Sequence, residues 1–404
     1  MLLSQSVNNN LCIYKKKRIE EYMKFGTKLI HAGIEPDSAT GAIMTPIYQT
    51  STYVQDGPGG HKGYEYSRTQ NPTRHALEKN LAAIENGKHG LCFASGLGAI
   101  DAIIKLLNPG DEVLSTSDLY GGSYRIFTKI FEKYGIKFTF IGMEDPAEVE
   151  KHITKSTRLI WIETPTNPML NIIDIEAIAK ISKKHNCILG VDNTFATPYL
   201  QTPLDLGADI VMHSMTKYIG GHSDVVMGGL IVNDDKLAEE LYFIQNSSGN
   251  VPGPQDSFLE LRGVKTLELR MIRHCENGRK VAEYLNTHPK VGKVYWPGLE
   301  DHPNHDIAKK QMRDFGGMLS FTLKSGSFDD AVIFLKAVKI FTLAESLGGV
   351  ESLVGHPASM THAAIPKKER EATGVVDSLI RVSTGIEDSE DIIEDLKQAL
   401  DQLK

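Results

Sequence analysis

Cysteine is scarce: the 404 residues hold four, Cys12, Cys92, Cys187 and Cys275, far apart and with no C-x-x-C pair. Such spacing excludes a disulfide scaffold and a cysteine-based zinc site, and it suits a reducing, intracellular compartment. No apolar run is long enough to span a bilayer. The first 22 residues lack the charged start and apolar middle of a signal peptide. Positive charge is in deficit, because 44 Lys and Arg against 51 Asp and Glu leave a formal net charge of -7. The basic footprint of a nucleic-acid binder is therefore missing, and a short run such as "KKER" reads as a solvated face. There is no internal repeat and no low-complexity linker. "FASGLGA" carries Gly96 and Gly98 without the remaining glycine of a dinucleotide fingerprint. His213, His222 and Asp224 fit neither a helix-face pair nor a zinc pattern, so no metal is expected. What these absences leave is a cytoplasmic protein that acts on small molecules, with no nucleic acid or membrane as partner.

With 41% hydrophobic and 24% charged residues, the chain can bury a large core, and its length suggests two or three domains. The polar lead 1–22 is expected to lie outside the ordered fold, and Met23 offers an alternative start. Beyond it, short β-branched runs alternate with helical patterns, which predicts a mainly parallel sheet covered on both faces. The predicted strands are "GLCFA" at 90, "EVLST" at 112, "KFTFIG" at 137, "RLIWIE" at 158, "CILGVD" at 187, "DIVMHS" at 209 and "GGLIV" at 228. Between two of them, 174–185 reads as a helix with Ile175, Ile178, Ala179 and Ile181 on one face and Asp174 as its cap. A second helix starts at Ser95, with apolar positions from Leu97 to Leu107. After about 265 the pattern becomes a long polar helix, then strands at "GKVYWPG", "GGMLSFTLKSG" and "DSLIRVSTGIED", then a closing helix. This second region reads as a smaller α+β domain.

In open α/β sheets ligands collect beyond the carboxyl ends of the strands. Here those ends carry "FASGLGA", "ETPTNP", "VDNTF" and "HSMTK". Free amides at the helix start of Ser95, Gly96 and Leu97 suit a phosphate, although most Ser-Gly helix starts are only caps. Asp192 closes a fully apolar strand, where a carboxylate needs a cationic partner or hydrogen bonds from the next loop. Lys217 stands at the mouth of "GADIVMHSMTK", and a lysine there most often marks the return to solvent. Taken together, these groups match the needs of pyridoxal phosphate: a lysine for the Schiff base, an acid for the ring nitrogen, and Ser214, Thr216 and a helix start for the phosphate.

The stretch "VDNTFATPYLQTPLDLGADIVMHSMTKYIGGHSDVVMGG" closely resembles the signature of the pyridoxal phosphate enzymes of cysteine and methionine metabolism, in particular their cystathionine γ-lyase and γ-synthase group. "YEYSRTQNPTRHALEKNLA", "FASGLGAI", "DLYGGSYRIF", "IETPTNP", "FTLAESLGGVESLV" and "LIRVSTGIED" follow in family order, so the likeness spans about residues 24 to 404. It implies the aspartate aminotransferase-like fold, with an N-terminal arm at 23–84 contacting the neighbouring subunit. A large cofactor domain with a seven-stranded sheet at 85–264 and a smaller α+β domain at 265–404 would follow, in a homotetramer built from two catalytic dimers. By the resemblance, Lys217 carries the cofactor, Asp192 faces its ring nitrogen, and Tyr120 stacks on the ring and serves as a candidate base. Ser95, Gly96, Leu97, Ser214 and Thr216 hold the phosphate, joined by Tyr66 and Arg68 of the adjacent subunit. Arg381, helped by Asn167 and Ser346, takes the carboxylate of an amino-acid substrate, a planar task that suits a guanidinium. Arg125 approaches the distal part.

The same likeness bears on the reaction. Methionine γ-lyases carry a reactive cysteine where this chain has Gly122, and cystathionine β-lyases usually lack the glutamate of "AES", which is Glu345 here. An acidic distal wall would suit the second ammonium of cystathionine, and Glu65 adds to it. "YEYSR" resembles the lyase pattern, whereas "YGGSYR" reads more like bacterial γ-synthases. The expected activity is γ-elimination of cystathionine, with γ-replacement by a synthase as the alternative and methionine γ-lyase behind both.

Overall fold

The structure, a computed structural model, describes residues 23–363 and 367–404. The lead at 1–22, Cys12 included, lies outside the described residues. All seven apolar runs become strands of one sheet: β1 His89–Phe93, β2 Glu112–Thr116, β3 Lys137–Ile141, β4 Thr157–Glu163, β5 Ile188–Asp192, β6 Ile210–Ser214 and β7 Gly228–Val232. Their order is β1-β7-β6-β5-β4-β2-β3, with only β7 antiparallel to its neighbours. Apart from the edge strand β3, which is only half-buried, the sheet is buried on both faces, as its largely apolar runs demand. Alternate residues part to opposite sides: Val113 and Trp161 meet Ile100, Ile103 and Phe127 on one face, while Leu114, Ile160 and Leu189 meet Ile175 and Ile178 on the other.

The helix Ile175–His185 begins as expected, because the Asp174 carboxylate accepts the Ala177 amide at 2.9 Å. Gly96–Ile104 starts at Ser95 but stops short of Leu107. There the amides of Leu106 and Leu107 bond only three residues back, to Ile103 and Ile104, which tightens the chain into the Asn108 turn.

A second, five-stranded sheet has the order β10-β11-β12-β9-β8. It consists of β8 Val291–Tyr295, β9 Met318–Leu323, β10 Thr342–Leu343, β11 Leu353–Gly355 and β12 Leu379–Ser383. Helices Leu267–Thr287, Phe328–Ala337 and Ser389–Asp401 cover it through Val281, Leu285, Phe334, Ile392 and Leu396. Strands β10 and β11 are too short for any periodicity to announce them. The large sheet's carboxyl edge faces β12 and the loop before β11, and this juxtaposition builds the site.

Candidate active site

Beyond that edge lies a cavity of about 970 Å³. From the large sheet it is lined by Ser95, Gly96, Leu97, Tyr120, Arg125, Glu163, Asn167, Asp192, Ser214, Thr216 and Lys217, and from the smaller one by Glu345, Ser346 and Arg381. Thirteen of the sixteen residues singled out from the sequence thus converge, and Glu65, which is exposed, is not among them. The other two, Tyr66 and Arg68, do not line it: Tyr66 is 44% exposed, and Arg68 donates to the carbonyl and side-chain oxygens of Asn246 at 2.6 and 2.7 Å.

Lys217 lies in the turn after β6, which begins at Met215. The loop that follows is fixed from behind, since Arg270 donates to the carbonyls of Tyr218 and Ile219. The amine itself donates to Ser346 Oγ at 3.0 Å. Burial, reinforced by the Arg381 charge, lowers it from 10.5 to about 8, against the pull of Glu345 and Asp192. An amine must be unprotonated to attack an aldehyde. Uptake of pyridoxal phosphate by apoprotein should therefore accelerate with pH and level off above about 8. Stopped-flow absorbance checks this; acceleration that continues toward the ordinary lysine range would show that the amine is not tuned.

Asp192, 6% exposed, accepts the Thr194 amide at 3.0 Å. Burial raises its carboxyl, opposed by the Thr194 hydrogen bonds and by the His213 and Lys217 charges. Thr194 Oγ1 also accepts the Ser214 amide at 2.8 Å, which ties the ends of β5 and β6 together. Thr194 stands inside "VDNTF", yet nothing in a threonine two places beyond an acid announces this double contact. Glu163 is a second buried carboxylate, at the end of β4 and in register with Asp192. Its signal was available, because an acid that closes an apolar strand is as anomalous at 163 as at 192.

Ser95 Oγ caps its helix by accepting the Gly98 amide at 3.0 Å, and the first helical amides, Gly96 and Leu97, have no partner within the helix. Thr216 is more committed than expected: its hydroxyl donates to the Met227 carbonyl at 3.2 Å and accepts the Met227 amide at 3.0 Å. Arg381, 5% exposed, donates to Asn167 Oδ1 at 3.0 Å and to the Ser346 carbonyl at 2.7 Å. Burial lowers it to about 10, so it stays charged at neutral pH. Ser346 holds φ at 81°, a left-handed conformation that serine rarely adopts. Both Lys217 and Arg381 grip this one residue. Gly122 abuts the Tyr120 ring, and a Cβ there would lie 2.3 Å from Cε1; with the tyrosine so placed, the position has no room for a cysteine.

His213, by contrast, points away from the cavity and is buried against Glu85 at 2.5 Å. His222 is bonded to the Gly220 carbonyl at 2.7 Å. Cys92, Cys187 and Cys275 are buried and, among the described residues, unpaired.

These groups fit pyridoxal phosphate. Free helix-start amides and Ser214 present donors to an anion, the Asp192 carboxylate forms no ion pair among the described residues and calls for a cation, and Lys217 offers an amine of lowered basicity.

The family model for the Cys/Met metabolism PLP-dependent enzymes matches residues 26–401. The chain is 54% identical over 382 residues to a protein of Bacillus subtilis (strain 168) named cystathionine γ-lyase, covering 94% of this chain and 100% of that one. It is 52% identical over 397 residues to one of Coxiella burnetii named cystathionine β-lyase, covering 98% and 100%. The crystal structure of metB from Corynebacterium glutamicum superposes with a TM-score of 0.93 at 48% identity, covering 95% of this chain and all of that one. The fold is thus that of the pyridoxal phosphate-dependent transferases, aspartate aminotransferase-like, with its mainly parallel seven-stranded sheet.

Proposed function

The chain belongs to the Cys/Met metabolism PLP-dependent enzymes, and from that premise we propose that it splits L-cystathionine and water into L-cysteine, 2-oxobutanoate and ammonia by γ-elimination. The observation that carries this reading is the acidic Glu345 in the same cavity as Lys217 and Arg381. A carboxylate in the cavity that also holds the carboxylate-binding arginine suits a substrate with a second ammonium.

The division of labour follows from the geometry. Arg381 and Asn167 orient the substrate carboxylate by a forked hydrogen-bond pattern. Bound in this cavity, pyridoxal phosphate supplies an electron sink that makes protons next to the substrate's amino carbon removable. Asp192 holds a compensating negative charge at the end of β5. Lys217, whose lowered basicity leaves a useful fraction of free amine near neutral pH, takes the α proton, gives it up again, and then takes one from the β carbon and passes it to the γ sulfur, which leaves as a thiol. Tyr120 shields one side of the cavity and offers a phenol to the incoming amino group. The same reading takes residues 23–84 as an arm that reaches a neighbouring subunit, 85–264 as the cofactor domain and 265–404 as the smaller domain. The working form is a cytoplasmic homotetramer of two catalytic dimers.

A second reading, cystathionine γ-synthase, is favoured by the motif "YGGSYR", which places Arg125 at the cavity. Replacement and elimination share every step up to departure of the γ substituent. Product identity separates them: purified protein is given cystathionine alone and, separately, an activated homoserine ester with cysteine. The expected result is 2-oxobutanoate and cysteine from cystathionine at a rate comparable with ester turnover. Negligible cleavage beside rapid cystathionine formation would overturn it in favour of the synthase.

A further inference from the structure

Glu163 has no part in the chemistry above, yet it lies in the cavity and is only 4% exposed. Its register partner is Asp192, at 6% exposed, so two carboxyl groups stand side by side in a buried site. Two such neighbours are not both charged without a cation for each. Asp192 has the Thr194 hydrogen bonds and the Lys217 and His213 charges in its favour. Glu163 forms no ion pair among the described residues, and burial together with the Asp192 charge pushes it well above the usual carboxylate range. Of the two, Glu163 is pushed the further toward its neutral form.

What Glu163 touches is backbone. Its Oε2 accepts the Tyr120 amide at 2.9 Å, and its carboxyl also meets the Asn167 amide. Tyr120 is the residue before helix Gly121–Lys129, which has no side-chain cap of its own. The turn leaves little slack: a Cβ on Gly121 would come within 2.3 Å of the Thr361 carbonyl. Asn167, for its part, holds Arg381. One carboxyl therefore anchors both the loop that presents the tyrosine and the loop that steadies the substrate-binding arginine.

We propose that Glu163 is a positioning residue that sets Tyr120 and Asn167 from the end of β4, acting as an acceptor of backbone hydrogen bonds and not as an ion. This rests on the reading of Tyr120 as the cofactor-stacking residue and of Arg381 with Asn167 as the carboxylate site. Glutamine keeps a carbonyl oxygen at the same place and leucine keeps only the volume, so the two variants separate acceptor from filler.

The test uses full-length Glu163→Leu, Glu163→Gln and Tyr120→Ala, with Glu163→Ala if the leucine variant does not fold. Apoprotein affinity for pyridoxal phosphate is measured by absorbance titration, the cofactor's visible circular dichroism band is recorded, and KM for cystathionine and the pH profile of kcat/KM are determined. Loss of the buried acceptor should weaken cofactor binding about 10-fold, diminish the dichroism band and raise KM. Glutamine should restore affinity to within about threefold of wild type, with the wild-type pH profile. Unchanged affinity, dichroism and KM in the apolar variant would overturn the proposal, and so would a glutamine variant as impaired as leucine or with a displaced pH limb, since either shows that the charge matters. Tyr120→Ala is the separate control: if it leaves affinity and dichroism intact, the tyrosine assignment fails and takes this proposal with it, whereas a loss there beside an unaffected apolar Glu163 variant sinks only the role of Glu163.

Discussion

Lys217→Ala should lose the visible yellow band of the holoprotein and at least about a thousandfold of its turnover, because one amine both holds the cofactor and moves protons between substrate carbons. The fold should survive the change. The loop after Lys217 is held by its backbone, through Arg270 on the Tyr218 and Ile219 carbonyls and through the Val350 amide on the Gly221 carbonyl at 3.0 Å. The side chain makes one hydrogen bond, to Ser346. Loss of activity with an unaltered far-ultraviolet dichroism spectrum is thus the expected result, checked by absorbance and by 2-oxobutanoate release. Substantial turnover in a well-folded variant would remove Lys217 from the chemistry, and with it the reason for a lysine in this position.

The parts of this site that were legible in the sequence are those where local chemistry is anomalous. An acid at the end of "CILGVD" and a lysine at the end of "GADIVMHSMTK" have no place in a buried sheet unless something needs them, and both line the cavity. Six strands of the large sheet were legible for a related reason, since burial on both faces writes a largely apolar run into each, whereas β3, half-buried at the edge, shows the alternation of "KFTFI". Strands β10 and β11, at two and three residues, carry no such run; their pairing depends on β12. The Arg381–Asn167 contact joins residues 214 apart in sequence, and only the family motif singled out that arginine. The Thr216 hydroxyl is taken by Met227, a neighbour that β7 brings back alongside β6 and that no spacing rule foresees. Glu163 closes an apolar run just as Asp192 does, and in "RLIWIE" it reads simply as the end of the strand. Tyr66 and Arg68 differ from all of these, for a single chain does not bring them to its own cavity.

In one chain the segment around Tyr66 is rich in exposed apolar side chains, with Ile43 at 84% and Val54 at 88% exposed, the kind of surface that a partner covers. If Tyr66 and Arg68 complete the site of a neighbouring subunit, a two-fold dimer holds two equivalent composite sites, each needing residues from both chains. Lys217→Ala and a Tyr66→Phe, Arg68→Ala double variant are each expected to be inactive by themselves. Unfolded and refolded together in equal amounts, they pair at random, and about half of the dimers are mixed. In a mixed dimer one site inherits every lesion and the other inherits none. Activity should therefore return from near zero to about a quarter of the wild-type value, a count that follows from the symmetry alone. Native mass spectrometry confirms that mixed dimers are present. If they are and no activity returns, Tyr66 and Arg68 serve the chain that carries them, and the exposed apolar segment must be covered by a contact that leaves the active sites separate.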